Sequence, residues 1–374
     1  MTTTPDVLEL TRALLRFDTI NPPGQEAEMA GYLAGVLSAG GFSTNLLEYA
    51  PGRANLLARL DGAGGDLPLC LSGHMDVVPL GTKPWSHDPF AGEVAGGRIY
   101  GRGSSDMKAG LAAMAVAALR MAAAGRPRRG LVVAFSVDEE TGCRGARMMG
   151  QSGRLGRAGA LVVGEPTGNQ PVLGHKGAFW LKISFSGKTA HGSMPEMGDN
   201  AIYKAVAAVE KIRRLEIGPA HPLLGRPTVS VNTIQGGVKL NVVPDSAWFE
   251  MDGRTVPGRD HDSLLAEVRE LMGPEASVEV VDSQEAVTCD PAHPWVAATL
   301  DMLSGFLGER PRPRGASYFT DASALVRALG QPPVILLGPG DPEQAHQTDE
   351  SCRVEAIHQA VEIYTEIARR YCLE

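Results

Sequence analysis

The chain has 374 residues, of which 43% are hydrophobic and 21% are charged, so it is long enough to fold around one large core or two ordinary ones. This composition excludes a disordered protein. The 35 Lys and Arg residues against 43 Asp and Glu residues give a formal net charge of -8, which argues against nucleic-acid binding, since that needs a basic face.

The sequence also argues against a membrane or secreted protein. The longest uncharged helix candidate lies between Lys108 and Arg120 and is much shorter than the roughly 20 residues needed to cross a bilayer. The N-terminal segment has no basic stretch followed by an apolar core, so we expect a cytoplasmic location without membrane contact. The 5 cysteines are scattered and form no CxxC pair, which predicts neither a disulfide framework nor a thiolate zinc site.

The first 175 residues alternate helical patterns with short apolar runs. Helices are predicted at 7–16, 26–39 and 108–124, and strands at 67–71, 131–137 and 160–163. Continuously apolar strands between helices predict a sheet that is covered on both faces. The same alternation returns after residue 286, where we predict helices at 294–307, 321–329 and 351–371 and a strand at 334–337.

Residues 176–286 follow a different pattern. Apolar and polar residues alternate over 178–185, which predicts a strand with one exposed face. A helix, two strands around 228–234 and 247–252, a second helix and a strand at 277–281 follow. This order is the split βαβ arrangement. We therefore predict an α/β protein in which residues 1–175 and 287–374 form a larger sheet-centred domain and residues 176–286 form an inserted, ferredoxin-like domain.

The segment 72–79, SGHMDVVP, places His74 and Asp76 just past the end of a predicted strand. Ligands bind at this edge in open α/β sheets. The two side chains point the same way in an extended chain, so the carboxylate could hold the imidazole ring with one nitrogen free for a metal. Taken alone, His74 would be interpreted more simply as a solvated loop residue.

Two further segments carry acids into turns. Asp106 lies in IYGRGSSDMKAG directly before an Ala-rich helix, where Asp is also a common N-cap. The GRG triplet lacks the third glycine of a dinucleotide fingerprint, so a Rossmann site is rejected. In FSVDEETG, Glu139 and Glu140 would point in different directions from an extended backbone. One of them could therefore bind a metal while the other handles a proton.

The same pattern recurs downstream. Glu165 follows an apolar run in VVGEPTG, and His346 follows another in LLGPGDPEQAHQTDE. The polar residues that come after strands or in glycine-rich turns are His74, Asp106, Glu139, Glu140, Glu165 and His346. Imidazole and carboxylate groups without thiolate suit catalytic zinc or a related divalent ion. Each segment is weak evidence alone, but their shared placement predicts a metal site.

The strings GHMDVVP, YGRGSSDMKAG, VDEETG, GEPTG and GPGDPEQAH resemble the M20 family of dinuclear zinc amidohydrolases and peptidases. Within that family they most resemble the group of acetylornithine deacetylase and succinyl-diaminopimelate desuccinylase. The resemblance extends over essentially the whole chain. It implies that the larger domain is a zinc-hydrolase catalytic domain and that the inserted domain is a lid and dimerisation domain.

The resemblance also implies two divalent metal ions, zinc by preference and cobalt or manganese as alternatives. One ion would be held by His74 and Glu165 and the other by Glu140 and His346, with Asp106 bridging both. Glu139 would be the general base, and Asp76 would orient His74. Metal-activated water would then attack an amide carbon.

The inserted domain carries three more candidates by resemblance. His191, in GKTAHGSMPEMGDNA, resembles the histidine that reaches into the partner subunit's active site and stabilises an oxyanion, which implies a homodimer. Asn241 and Arg254 resemble carboxylate-binding residues, and a guanidinium suits a carboxylate well. A surface ion pair is the alternative role for Arg254. Phe319 stands where the family's GTDA-type loop has glycine, which leaves the substrate open.

These observations leave three hypotheses for the function. The first is a hydrolase that removes the acyl group from N-acyl amino acids. The second is a dipeptidase or carboxypeptidase of the same family. Glu165 stands where M20 aminopeptidases tend to carry Asp, which disfavours an aminopeptidase. The third is a non-catalytic relative that binds metal or ligand.

Overall fold

The computed structural model describes residues 4–374, which form two compact units. Unit 1 contains the described residues up to Gly174 together with Cys289–Arg314 and Thr320–Glu374. Unit 2 contains His175–Thr288 and Gly315–Phe319. Among the helices of residues 4–374, none combines the length and the apolar character that crossing a bilayer requires.

The regular elements are numbered in chain order. The α-helices of residues 4–374 are α1 (Val7–Leu15), α2 (Ala27–Ala39), α3 (Ala109–Ala123), α4 (Arg144–Gln151), α5 (Ala201–Ile212), α6 (His261–Met272), α7 (Pro294–Leu307), α8 (Ala322–Ala328) and α9 (Val354–Leu373). The strands are β1 (Ser43–Ala50), β2 (Arg53–Leu60), β3 (Leu69–His74), β4 (Val94–Ala95), β5 (Arg98–Tyr100), β6 (Leu131–Ser136), β7 (Ala160–Val163), β8 (Gly174–His175), β9 (Gly177–Ser186), β10 (Thr228–Gly236), β11 (Ser246–Thr255), β12 (Ala276–Gln284), β13 (Val287–Thr288), β14 (Val334–Leu336) and β15 (Ser351–Arg353).

Unit 1 is built on a six-stranded sheet with the order β1-β2-β6-β3-β7-β14. The strands β6, β3, β7 and β14 are parallel, whereas β1 and β2 run antiparallel at one side. Every residue of β3, β6 and β7 is buried, as expected for strands between two layers of helices. The Ala-rich helix α3 is buried along almost its whole length and contacts α9. The predicted α/β class is confirmed.

Two features of unit 1 differ from the sequence prediction. The β1–β2 hairpin was not predicted, although Pro51 and Gly52 between its strands are a turn signal. The closing helix was predicted to begin at 351, but it begins at Val354. The preceding Ser351–Arg353 pairs with β5 as a strand, because backbone pairing with a distant segment overrides local helical preference there.

Unit 2 contains a four-stranded antiparallel sheet with the order β10-β11-β9-β12. Helices α5 and α6 pack on one face and share a core with Phe179, Leu181 and Phe249. The residues of β9 and β11 alternate between buried and partly exposed, which is the pattern of a sheet covered on one face only. The predicted order of strands and helices in this segment is confirmed.

Candidate metal centre

The parallel strands of unit 1 bring several polar residues to one edge of the sheet. His74 is the last residue of β3 and lies opposite Ser136 at the end of the neighbouring strand β6. Glu165 follows β7, which pairs with β3 on its other side, and His346 follows β14. Since parallel strands end at the same edge, the segments after these four strands can converge.

Asp106 lies at the centre of the cluster. Its Oδ1 atom is 3.1 Å from Nε2 of His74, and its Oδ2 atom is 3.4 Å from Nε2 of His346. Nε2 of His346 is also 3.1 Å from Oε2 of Glu140. Potential ligand atoms of His74, Asp106 and Glu140 all lie within 4.8 Å of one another. The two oxygens of one carboxylate thus face two different histidines.

The cluster places several carboxylates in a buried environment, where their negative charges are costly without a positive charge beside them. Burial raises the pKa of Glu139 and Glu165 well above the usual range, and the neighbouring carboxylates raise both further. Hydrogen bonds with Asp106 and Glu140 raise the pKa of His346 to about 10. Burial opposes the charged form of His74, but Asp106 and nearby glutamates raise its pKa. Positive charge is therefore strongly favoured at this position.

The donor set fits divalent metal ions. Imidazole nitrogens and carboxylate oxygens are ligands of zinc, manganese and cobalt, and the histidines and carboxylates of the cluster supply both. Among residues 4–374, Oε1 of Glu140 and Oε1 of Glu165 are buried acceptors without a hydrogen-bond partner. A buried carboxylate oxygen is costly to leave without a partner, and a bound cation would remove that cost.

The ring of His74 is held by the main chain of Asp76. Nδ1 donates to the Asp76 carbonyl at 2.9 Å, whereas Oδ1 of Asp76 is 3.7 Å from Nδ1. Because a carbonyl only accepts, Nδ1 carries the proton and Nε2 faces Asp106. The sequence suggested that the carboxylate of Asp76 holds the ring, but the shorter contact comes from the backbone.

The carboxylate of Asp76 instead accepts from the segment that carries the two glutamates. Oδ1 accepts from the Glu139 amide at 3.1 Å, and Oδ2 accepts from the Glu140 amide at 3.2 Å. Asn21 donates its side-chain amide to Oδ2 at 2.9 Å. Asp76 thus fixes the backbone from which Glu139 and Glu140 project.

Behind Asp76 lies a buried polar network that the sequence did not indicate. The amide of Asn21 also donates to Asp138 at 3.0 Å, and Arg53 donates to Asp138 at 2.8 Å. The guanidinium of Arg53 binds Glu26 with two hydrogen bonds of 2.8 and 2.6 Å. These residues are scattered between positions 21 and 138 and do not belong to one sequence motif. The network is therefore visible only in the folded structure.

The side chain of Glu139 is buried and close to two other groups. Oε1 lies 3.9 Å from Sγ of Cys143, a weak contact. Asp321, which precedes α8, is fully buried and accepts from the hydroxyl of Ser136. Burial raises the pKa of Asp321 to about 6. The thiol of Cys143 also interacts with this carboxylate.

The three candidates in unit 2 form two groups. His191 and Asn241 lie on adjacent backbone segments, since Gly192 donates to the Asn241 carbonyl at 2.8 Å. His191 is exposed, and its Nδ1 is 2.7 Å from the hydroxyl of Ser193. Arg254 lies on β11 and pairs with Asp252 through Nε at 2.9 Å and Nη2 at 3.1 Å. Its guanidinium is therefore already bound by a carboxylate of the same strand.

An α/β unit with two histidines, one of them buried, and several carboxylates clustered at the end of a parallel sheet places this chain among the metal-dependent hydrolases. The sequence profile of peptidase family M20/M25/M40 matches residues 70–370. The chain belongs to this family.

Curated relatives are similar over nearly their whole length. An acetylornithine deacetylase of Proteus mirabilis is 32% identical over 390 aligned positions, which cover 99% of this chain and 97% of the relative. A probable succinyl-diaminopimelate desuccinylase of Staphylococcus epidermidis is 28% identical over 401 aligned positions, which cover 98% of both chains. The predicted membership of this family and group is confirmed.

Solved structures share the fold. An M20 family metallo-carboxypeptidase of Sulfolobus solfataricus superimposes with a TM-score of 0.81 at 20% identity, covering 98% of this chain and 99% of that chain. A dinuclear metal-binding peptidase of the M20 family from Bacillus subtilis superimposes with a TM-score of 0.73 at 17% identity, covering 98% and 97%.

Proposed function

We propose that this hydrolase binds two divalent metal ions, zinc by preference with cobalt or manganese as alternatives, and cleaves the amide bond of N-acyl amino acids. The observation that carries the proposal is the placement of Asp106, whose two carboxylate oxygens face His74 and His346 separately. A carboxylate in this position can be shared by two ions. The names of the relatives that are 28% and 32% identical both describe removal of an acyl group.

We assign the ligands as follows. His74 and Glu165 would hold one ion, Glu140 and His346 would hold the other, and Asp106 would be a ligand shared by both. The short distances from Asp106 to both histidines and from His346 to Glu140 support the assignment. The unpartnered buried oxygens of Glu140 and Glu165 support it independently.

Two bound divalent ions would polarise the substrate carbonyl and lower the pKa of a water molecule. Glu139 accepts the proton of that water as the water oxygen attacks the amide carbon. It then passes the proton to the departing nitrogen as the C–N bond breaks, so the carboxylate is regenerated. Asp76 contributes by holding the Glu139 and Glu140 amides, which keeps the proton carrier and a ligand in fixed relation.

The inserted domain has a separate role in the proposal. We assign catalysis to residues 1–175 and 287–374, and the lid and dimerisation role to residues 176–286. His191 stabilises the oxyanion in a homodimer, and Asn241 and Arg254 bind the substrate carboxylate. Asp252 already pairs with Arg254, so a substrate carboxylate would compete with this partner.

Exposed apolar side chains in unit 2 support a homodimer. Tyr203, Val238 and Leu240 are largely or fully exposed in the single chain. Val238 and Leu240 are two positions apart in the chain, and neighbouring exposed apolar residues often mark an interface with another protein. Sedimentation velocity of the wild type should give a dimer, and Leu240→Asp should shift the population towards the monomer. A monomeric wild type would contradict this part of the proposal.

Kinetics after metal restoration test the reaction. The chelated protein is reloaded with zinc, cobalt or manganese and assayed on N-acetyl and N-succinyl amino acids and on dipeptides. Hydrolysis of the N-acyl amino acids is expected, whereas turnover of dipeptides alone would favour a dipeptidase or carboxypeptidase.

A variant separates catalysis from metal binding. Glu139→Gln removes the proton acceptor at nearly constant volume, so turnover should fall by at least 10²-fold. Metal content should remain at the wild-type value. A wild type that binds metal but hydrolyses none of these substrates would identify a non-catalytic relative instead.

A further inference from the structure

We propose that Glu350 is a positioning residue that holds the turn carrying Asp106, with Arg102 as its charge partner. This inference rests on the proposed function, because it explains how the shared ligand reaches its position. Glu350 lies four residues after His346, in the same segment as another proposed ligand.

The carboxylate of Glu350 accepts from four donors. Oε1 accepts from the backbone amides of Ser105 at 2.8 Å and Asp106 at 2.9 Å. Oε2 accepts from the backbone amide of Gly103 at 2.9 Å and from Nη1 of Arg102 at 2.8 Å. Glu350 is fully buried, so none of these contacts is shared with solvent.

The turn needs such a partner because its backbone is irregular. Gly103 has a left-handed conformation with φ 87°, and Asp106 has φ -119° and ψ 90°, which is not helical. The regular helix α3 begins only at Ala109. The Ser105 and Asp106 amides therefore have no helical carbonyl to bind, and a buried amide without an acceptor is costly. Oε1 of Glu350 accepts a hydrogen bond from each of these two amides.

Arg102 compensates the buried charge and extends the connection. Nη1 also donates to the Gln347 carbonyl at 3.2 Å, and Nη2 donates to the Pro79 carbonyl at 3.1 Å. The guanidinium carbon lies 5.1 Å from the ring centroid of Trp85. Arg102 is itself almost completely buried. A planar guanidinium group suits this position, because it can donate to all three acceptors while its face lies against an aromatic ring.

Other contacts join the same two segments. The Ser105 hydroxyl donates to the Ser351 carbonyl at 2.9 Å, and the Gly101 amide donates to the Glu350 carbonyl at 2.9 Å. A Cβ atom at Gly340 would collide with the Ser105 carbonyl oxygen. Since one segment presents Asp106 and the other presents His346, Glu350 sets the relative position of two proposed ligands.

The discriminating variant is Glu350→Gln, which keeps the size of the side chain. Each carboxylate oxygen of Glu350 accepts from two donors, so in either orientation the NH2 group of glutamine would face two of them. Those two donors lose their acceptor, and the NH2 group repels them. The matched control is Asp349→Asn. Asp349 is the adjacent acid in the same segment, but it accepts from the Ser86 amide at 2.7 Å and not from the 103–106 turn.

Metal uptake provides a readout that does not depend on turnover. Chelated protein is titrated with Co²⁺ while the visible absorption of the bound ion is recorded, and the stoichiometry is checked by elemental analysis. Glu350→Gln should weaken the uptake of at least one ion by 10- to 100-fold, which is typical when groups that orient metal ligands are changed. Asp349→Asn should stay within about twofold of the wild type. In turnover assays Glu350→Gln should lower kcat more than it changes KM.

Two ions bound by Glu350→Gln with wild-type affinity would overturn the inference, as would equal losses in both variants. If Glu350→Gln does not fold, Arg102→Lys tests the inference instead. This variant keeps the Glu350 carboxylate and its three backbone donors but removes the guanidinium group that binds it. Several-fold weaker uptake then supports the inference, and unchanged uptake overturns it.

If the wild type takes up Co²⁺ but hydrolyses no amide, the proposed function is refuted. The inference about Glu350 is still tested in that case, because the Co²⁺ uptake of the variants can still be compared. A wild type that takes up no Co²⁺ refutes both.

Discussion

The substitution Asn21→Asp tests the buried network behind the candidate metal centre. The side-chain amide of Asn21 donates to Asp76 at 2.9 Å and to Asp138 at 3.0 Å, so its NH2 group lies between two carboxylates. Hydrogen bonds from Asn21 and Arg53 hold the pKa of Asp138 below its usual value, although burial opposes them. Aspartate has nearly the same shape as asparagine but places a third carboxyl group between the other two.

The magnitude follows from the cost of keeping that carboxyl group neutral. Two like charges about 3 Å apart repel by roughly 5 kcal/mol at an effective dielectric constant of about 20, so the introduced aspartate will bind a proton instead of ionising. Relative to an unfolded pKa of about 3.9, binding this proton at pH 7 costs about 4 kcal/mol. A single O–H group also replaces two N–H donors, which costs a further ~1.5–3 kcal/mol.

The raised pKa of the introduced aspartate in the folded state determines how the stability of the variant changes with pH. A carboxyl group whose folded pKa exceeds its unfolded pKa destabilises the fold increasingly as the pH rises above the unfolded value. The difference in unfolding free energy between the variant and the wild type should therefore grow by about 1.4 kcal/mol per pH unit. Between pH 5 and pH 7 it should grow by about 2.7 kcal/mol.

Urea unfolding of the chelated proteins, followed by circular dichroism at pH 5, 6 and 7, measures this difference without a contribution from metal. Asn21→Ala is the control, because it loses both donors without adding a titratable group, and its destabilisation should depend less on pH. An Asn21→Asp variant as stable as the wild type at pH 7, or one whose destabilisation is constant from pH 5 to pH 7, would show that the amide does not bridge two ionised carboxylates.

Three further predictions concern unit 1. In Gly340→Ala the added methyl group meets the Ser105 carbonyl oxygen, so we expect a loss of about 1–3 kcal/mol and weaker metal uptake, measured by urea unfolding and Co²⁺ titration; unchanged values in both would refute the close approach. Arg53→Met leaves the buried carboxylates of Glu26 and Asp138 without their partner and should cost about 3–5 kcal/mol in urea unfolding, part of which Glu26→Leu should recover in the double variant. Free zinc at 100 times its dissociation constant should stabilise the protein by about 2.7 kcal/mol, so chelation should lower the melting temperature in calorimetry; equal melting temperatures would contradict a folded-state metal site.

The sequence by itself determined the class of fold and the identity of the polar groups at the edge of the sheet where the parallel strands end. Each of His74, Glu139 and Glu165 comes after an apolar run in the chain, and those runs are the buried strands β3, β6 and β7. This information is local, because hydrophobic runs and turn residues act within a few positions. The order of elements in unit 2 was likewise determined by alternation and helical spacing.

Only the tertiary structure decided which groups meet and what holds them. The order β6-β3-β7-β14 brings four chain segments to one edge, and the two oxygens of Asp106 reach two histidines there. The Glu350 contact to the 103–106 turn joins residues 244 to 247 positions apart, and the Asn21 contact to Asp138 spans 117. Hydrogen bonds at such separations depend on how the chain packs as a whole, since no local pattern records which distant backbone amide will need an acceptor.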